Sequence, residues 1–184
     1  MRTFIAIELP SQFTSQIDQL QQALRQTKAD VSWVKPQNVH ITLKFLGEVN
    51  EEKIEEVYRA TEKSVAGVTN FQVSLKGLGG FPNMKRPRVI WVGLEKGKEV
   101  LAQLGPKVEE GFSKIGFPKE NRPFTPHLTI GRVKSPKNLE LLASEIGKTS
   151  FKTEEFVVKE VVVMKSTLHP AGSIYTPLKK VLLS

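Results

Sequence analysis

The chain has 184 residues, 39% hydrophobic and 25% charged, with a formal net charge of +8 and no cysteine. That length suits one domain, or two small lobes sharing a core. The missing thiols exclude disulfides, cysteine nucleophiles and cysteine-ligated zinc, and no apolar run approaches the ~20 residues that span a bilayer.

The first predicted element is a strand over Phe4–Leu9. The start "MRTFIAIELP" holds one basic residue and a very short apolar stretch before Glu8 and Pro10. It reads as a strand rather than a signal peptide, so a cytoplasmic protein with no membrane partner is expected. Pro10 and Ser11 then open a helix, with Ser11 as its N-cap. Phe13, Ile17, Leu20 and Leu24 give that helix one apolar stripe. "NVHITLKFL" from Asn38 is a strand by its β-branched and aromatic content. Asn50 caps a second helix that buries Ile54, Val57, Tyr58 and Val65. "FQVSLKGLGGF" and "RVIWVGL" pair as strands around the loop "PNMKRP". A third helix covers Val100–Phe112, with an interruption at Gly105-Pro106. "TPHLTIGRV" is the next strand, and Ser135-Pro136 opens a fourth helix. "FVVKEVVVMKS" is a long strand and "YTPLKKVLL" closes the chain. No Gly-, Ser- or Pro-rich linker divides the two rough halves. A single domain over residues 1–184 with two pseudo-equivalent lobes is expected.

Two of the chain's three histidines fall in one repeated frame, His40-Ile41-Thr42-Leu43 and His127-Leu128-Thr129-Ile130. Alternate residues of a strand share a face. His40 and Thr42 therefore project together, as do His127 and Thr129, while the apolar partners turn toward covering helices. Related by a pseudo-twofold, the two polar pairs can meet across a cleft. Imidazole titrates near neutral pH and serves as acid or base. One ring can take a proton from water while the other gives one to a leaving oxygen. The threonine hydroxyls can donate to phosphate oxygens as charge builds there. One such motif alone reads as a chance polar pair in a strand. Two copies in matching strands favour a site. Neither motif has an Asp, a Glu or a third His at ligand spacing, so neither metal nor cofactor is expected. The positive charge points to a polyanionic partner such as RNA, although many basic proteins bind no nucleic acid.

At these residues the chain resembles the two-histidine (2H) phosphoesterase superfamily, and within it the RNA 2′,3′-cyclic phosphodiesterases once called 2′-5′ RNA ligases. The resemblance runs nearly end to end, through "RTFIAIELP", "NVHITLKFLGEV", "RVIWVG", "NRPFTPHLTIGR" and "YTPLKK". It implies an α+β bilobal fold, with two antiparallel sheets facing a central cleft and helices outside. It implies hydrolysis of an RNA terminal 2′,3′-cyclic phosphate to a 2′-phosphate. It also implies that His40 donates the proton and His127 accepts one. The two nearly symmetric motifs do not by themselves distinguish those roles.

Arg132 comes just after the second motif, where the first has Phe45. A guanidinium suits a phosphodiester and a phenyl ring suits a base. Strict alternation turns Arg132 away from the His127 face unless Gly131 permits a bulge. Tyr175 is a candidate for stacking on the terminal base. Lys44 shares parity with His40 and reads either as an RNA contact at the cleft edge or as a solvated strand end. "MKRPR" at Met84–Arg88 reads as a solvated basic turn. "KGLGGF" at Lys76–Phe81 has neither a Walker lysine nor dinucleotide spacing and reads as a turn. Trp33 and Trp91 read as core or rim, and His169 as loop. A monomer acting on RNA with a cyclic phosphate end, including tRNA fragments or nucleotides, is expected. The rivals are a ligase joining tRNA half-molecules through 2′-5′ bonds and a non-catalytic RNA- or nucleotide-binding module.

Overall fold

The computed structural model describes all 184 residues. In chain order the elements are β1 (Arg2–Glu8), α1 (Thr14–Arg25), β2 (Val31–Trp33), β3 (His40–Glu48), α2 (Ile54–Val65), β4 (Phe71–Val73) and β5 (Leu75–Phe81). Then come β6 (Val89–Leu94), α3 (Lys98–Ser113), β7 (Leu128–Val133), α4 (Leu139–Lys148), β8 (Phe156–Val158), β9 (Glu160–Thr167) and β10 (Ile174–Leu182). One antiparallel sheet runs β10-β9-β1-β3; the other holds β7, β6 and β5, with β2 also paired to β7. The two meet at one register pair, Ile41 opposite Leu128, so hydrogen bonding is continuous through the centre. β4 and β8 form a separate two-stranded ladder. The fold is the expected bilobal α+β arrangement. No helix is long and apolar enough to cross a membrane.

The lobes are not the two halves of the sequence. β5 pairs with β6, and β2 with β7, so the early chain completes the second sheet. β9 pairs with β1, and β10 with β9, so the late chain completes the first. The helices cross over too: α1 packs on α4, while α3 packs on α2 and β3. Neither half of the sequence closes a sheet by itself. A hydrophobic cluster of 34 buried residues runs continuously beneath the sheets.

Several local readings change, and the fourth helix begins at Leu139 rather than at Ser135-Pro136. Ser11 and Asn50 make no side-chain cap; each helix is instead entered through a 3-10 turn, Ser11–Phe13 and Glu51–Lys53. α3 runs unbroken through Gly105-Pro106. Leu101, Leu104, Val108 and Phe112 bury one stripe across the proline, and that packing outweighs the lost backbone bond. Phe124 lies so close to Gly105 that a Cβ there would fall 2.2 Å from its ring. "KGLGGF" is strand β5 rather than a turn. Gly79 and Gly80 serve close approach, since a Cβ at either would meet Trp91 or Pro87.

The decisive local feature is a β-bulge at the fourth residue of each motif. In the first lobe Ala6 pairs with Thr42 and Ile5 with Lys44, leaving Leu43 as the extra residue. In the second, Trp91 pairs with Thr129 and Ile90 with Gly131, leaving Ile130. One extra residue reverses the facing of the residues that follow it; in β3 a second extra residue, Leu46, restores the original facing beyond Phe45. Phe45 and Arg132 are therefore returned to the face of the motif's His and Thr. The Ile130 carbonyl faces β2, where it accepts from Val34 N–H at 3.0 Å and from Gln21 Nε2 at 3.0 Å. Gly131 lies where a Cβ would meet Val31 and Trp33.

The same bulge sends Lys44 into the interior. It is 3% exposed, and its Nζ donates to Glu109 Oε1 at 2.6 Å and to the Pro118 carbonyl at 3.0 Å. Neither the RNA contact nor the solvated strand end expected for Lys44 holds; it ties β3 to α3. Glu109→Gln should lower stability by about 2 kcal/mol in urea denaturation, because it strands the buried ammonium. The figure is below that for a fully dry pair because Glu109 keeps 17% of its side-chain surface exposed. A Lys44→Met, Glu109→Leu double variant should recover most of the loss, and no loss in Glu109→Gln would show that the pair is not holding β3 to α3.

Candidate active site

His40 begins β3, and His127 immediately precedes β7, so the central Ile41–Leu128 pair holds both at the junction of the sheets. Their rings are held alike. His40 Nδ1 lies 2.7 Å from the Asn38 carbonyl and His127 Nδ1 2.6 Å from the Thr125 carbonyl, each two residues back. A carbonyl only accepts, so each Nδ1 carries a proton and each neutral ring keeps its lone pair on Nε2. At His40 that lone pair accepts from the Thr42 hydroxyl at 2.7 Å. His127 Nε2 makes no hydrogen bond within the protein.

Burial is the largest influence on both rings and pushes both below the ordinary imidazole range. The carbonyl bonds work the other way, since they favour the charged ring. The Arg132 guanidinium pushes both down, and the His127 charge adds to this at His40. Burial pushes the Tyr175 phenol up, while Arg132 and Arg2 pull it down. The field of Arg132 thus reaches His40, His127 and Tyr175, which come from both lobes. Arg132 itself is exposed.

Aromatic rings frame the histidines differently on the two sides. Phe4 stacks on His40 with centroids 4.9 Å apart and planes at 28°. Tyr175 meets Phe4 edge-on at 5.0 Å and His40 at 5.4 Å. Phe45 lies 5.9 Å from Phe4 and is 57% exposed, an open apolar face beside the imidazole. On the other side Phe81 meets His127 at 4.9 Å and 89°, and backs onto Trp91 at 5.3 Å. The Trp91 indole covers Gly79, and its Nε1 is buried without a partner.

All seven residues singled out for the site are brought to one region. His40, Thr42, Phe45 and Tyr175 lie on the first sheet; Thr129 and Arg132 lie on the second, with His127 immediately before β7. Sequence reading missed Phe4 and Phe81, and took Trp91 for core or rim. The available signal was cross-strand parity. Phe4 and Ala6 share a face of β1 opposite Phe45 and Thr42, while Trp91 and Phe81 share the corresponding face in the second lobe. His169 stays in its loop, where its Nδ1 meets Ala171 N–H at 3.2 Å. The Met84–Arg88 segment is a turn between β5 and β6, with Asn83 Oδ1 accepting from Lys85 and Arg86 N–H. No three His, Asp or Glu side chains converge as a ligand set.

Known families and structures resemble the chain over nearly its whole length. A model described as LigT like Phosphoesterase matches twice, over residues 7–91 and 92–175. A Methanothermobacter thermautotrophicus protein named RNA 2′,3′-cyclic phosphodiesterase is 37% identical over 97% of both chains. One of the same name from Thermotoga maritima is 37% identical over 97% of this chain and 93% of its own. The crystal structure of E. coli LigT complexed with 3′-AMP superposes with a TM-score of 0.80 at 27% identity, covering 100% of this chain and 98% of that one. The double match falls on the duplicated motif, one histidine in each copy, and with near full-length relatives it shows that this chain belongs to the LigT-like phosphoesterase family, the 2H phosphoesterases.

Proposed function

We propose that the protein hydrolyses 2′,3′-cyclic phosphates at RNA ends, leaving a 2′-phosphate, by metal-independent acid–base catalysis from His40 and His127. The observation that carries the reading is the matched pair of rings, each with Nδ1 committed to a carbonyl two residues back. Each ring is left with Nε2 as its working nitrogen. The relatives' name gives the substrate class, and LigT crystallised with 3′-AMP supports entry of a nucleotide.

In this mechanism His127 Nε2 takes a proton from water as the oxygen attacks phosphorus. The bond from phosphorus to the 3′ oxygen breaks in line, and His40 Nε2–H protonates the departing oxygen. The products are a 3′-hydroxyl and a 2′-phosphate, with one water consumed. The free lone pair of His127 suits the acceptor role. Phe4 suits His40 to the donor role, because an aromatic face stacked on imidazole favours its cationic form. Thr42 and Thr129 donate to the non-bridging oxygens and Arg132 offsets their charge. The base stacks on Phe45 with Tyr175 at its edge. No three His, Asp or Glu side chains converge beside the two rings, which supports a scheme without metal.

His40→Ala or His127→Ala should reduce turnover of a cyclic-phosphate oligonucleotide by ~10²–10⁴-fold, measured with EDTA present. Near-normal activity in either would remove the acid–base pair, and activity abolished by EDTA would restore a metal. Accumulation of 2′-5′-joined product, rather than the 2′-phosphate, would favour ligation. Thr42→Ala and Thr129→Ala should each cost roughly 1.5–3 kcal/mol of transition-state stabilisation.

The lowered titrations set the pH profile. Activity needs His40 charged and His127 neutral. Because both rings titrate below the ordinary value near ~6.5, kcat/KM should peak on the acidic side of neutrality and fall as pH rises through the His40 titration. Arg132→Gln removes a charge that opposes protonation of both rings. Its bell should be lower and displaced to higher pH, with both NMR imidazole titrations moving the same way. An undisplaced profile would show that Arg132 does not act on the pair.

A further inference from the structure

We propose that Arg2, with Ser166 and Tyr175, forms a subsite on the first lobe for the phosphate attached to the 5′ oxygen of the terminal nucleotide. In RNA this is the linkage to the penultimate residue. The inference rests on the cyclic-phosphate reading and adds to it which part of the substrate is held beyond the reacting group.

The stereochemistry of ribose fixes the direction. The base and the 5′ carbon leave the same face of the sugar, and a 2′,3′-cyclic phosphate leaves the opposite face. The lobe that stacks the base therefore also receives the 5′ phosphate. The open aromatic face is Phe45, on the first lobe, and is flanked by Phe4 and Tyr175. The cation beside the reacting phosphate, Arg132, comes from the second.

The first sheet carries a cation at the required place. β1 alternates regularly because both bulges beside it lie on β3, so Arg2, Phe4 and Ala6 share one face. Arg2 is thus one step along the strand from the ring that stacks on His40, on the same side. Register places Ser166 beside Arg2, and Tyr175 beside Ser166, giving a rung of guanidinium, hydroxyl and phenol. The Arg2 charge reaches the Tyr175 phenol. Arg2 is exposed and makes no ion pair. Glu48 stands across from it on β3, but its carboxylate is held 3.2 Å from the terminal ammonium of Met1. A guanidinium fork so placed suits a phosphodiester oxygen pair. The Lys85–Arg88 turn is also basic, but it borders the second lobe, on the wrong side of the ribose.

The test compares adenosine 2′,3′-cyclic phosphate with its 5′-phosphorylated form. In the wild-type protein the 5′-phosphate should raise kcat/KM by about tenfold, as one charge-assisted contact does, and added salt should shrink that ratio. In Arg2→Gln the ratio should fall to near one, with Arg2→Lys intermediate. The same ligand pair titrated by calorimetry into His127→Ala gives a binding ratio that needs no turnover. A ratio near one in the wild type, or one that survives Arg2→Gln and falls only when Lys85, Arg86 and Arg88 are replaced, overturns the subsite. Absence of turnover on both ligands with the binding ratio and its loss in Arg2→Gln intact would instead count against the hydrolase reading and leave the subsite standing.

Discussion

One pair of residues, Ile41 facing Leu128, holds the two lobes and the candidate site together. Each is the second residue of its motif, and theirs is the single register pair between the two four-stranded halves. Both side chains are buried, at 1% and 0% exposure, so the contact is fixed by core packing as well as by the backbone. The histidines are their immediate neighbours. The approach of the two imidazoles is therefore set by the sheet junction and not by a flexible loop, and rigid elements hold such geometry best. The carbonyls of Asn38 and Thr125 then fix the rotation of each ring.

The bulges are the second constraint, and they explain why the motif stops at four residues. Leu43 and Ile130 are the extra residues, so each must be apolar to stay in the core while the ladder around it is broken. Residues beyond the bulge are free to differ between the lobes. Position 45 is open phenyl and position 132 is guanidinium, on the same face and at the same offset from threonine. The residue just before each is also inverted. In the first lobe Lys44 is drawn inward to Glu109; in the second Gly131 makes room for Val31 and Trp33. A two-lobed scaffold with the same His-x-Thr frame in each lobe thus differs in the residues after the bulge and in those that face the frame across the ladder.

Much of this was legible in the chain. The period-2 pattern located the histidine strands, and the shared frame of His40 and His127 marked the candidate site. Alternation requires a bulge near Gly131 for Arg132 to join the site, and the strand meets that condition one residue earlier, at Ile130. The same condition was invisible at Lys44, because nothing in "HITLKFL" marks a bulge without a glycine. The interleaving of the lobes was hidden for another reason. Strand partners are chosen by tertiary packing, so "FQVSLKGLGGF" and "FVVKEVVVMKS" each read as one strand where Ser74 and Lys159 divide two. Pro106 misled because local breaking power was weighed without the buried stripe on either side of it. Phe4 read only as the start of a strand; its place beside the site emerges once its partner across the ladder is known to be Phe45.

The asymmetry between the lobes also bears on the division of roles that the symmetric motif leaves open. Phe4 pairs with Phe45 in the first lobe, and Val89 pairs with Arg132 at the matching rung of the second. One further step along, Ala6 stands where the second lobe has Trp91. Small and aromatic residues have therefore changed places across the pseudo-twofold. On the first side this clears space above Phe4 for His40 to lie flat on the ring, a geometry that favours the imidazolium. On the second, Trp91 supports Phe81 upright against His127, and Arg132 opposes protonation there as it does at His40. Two rings with the same backbone anchors thus meet different aromatic neighbours, while burial and Arg132 lower the titration of both. One repeated strand in this way sets two imidazoles in different surroundings.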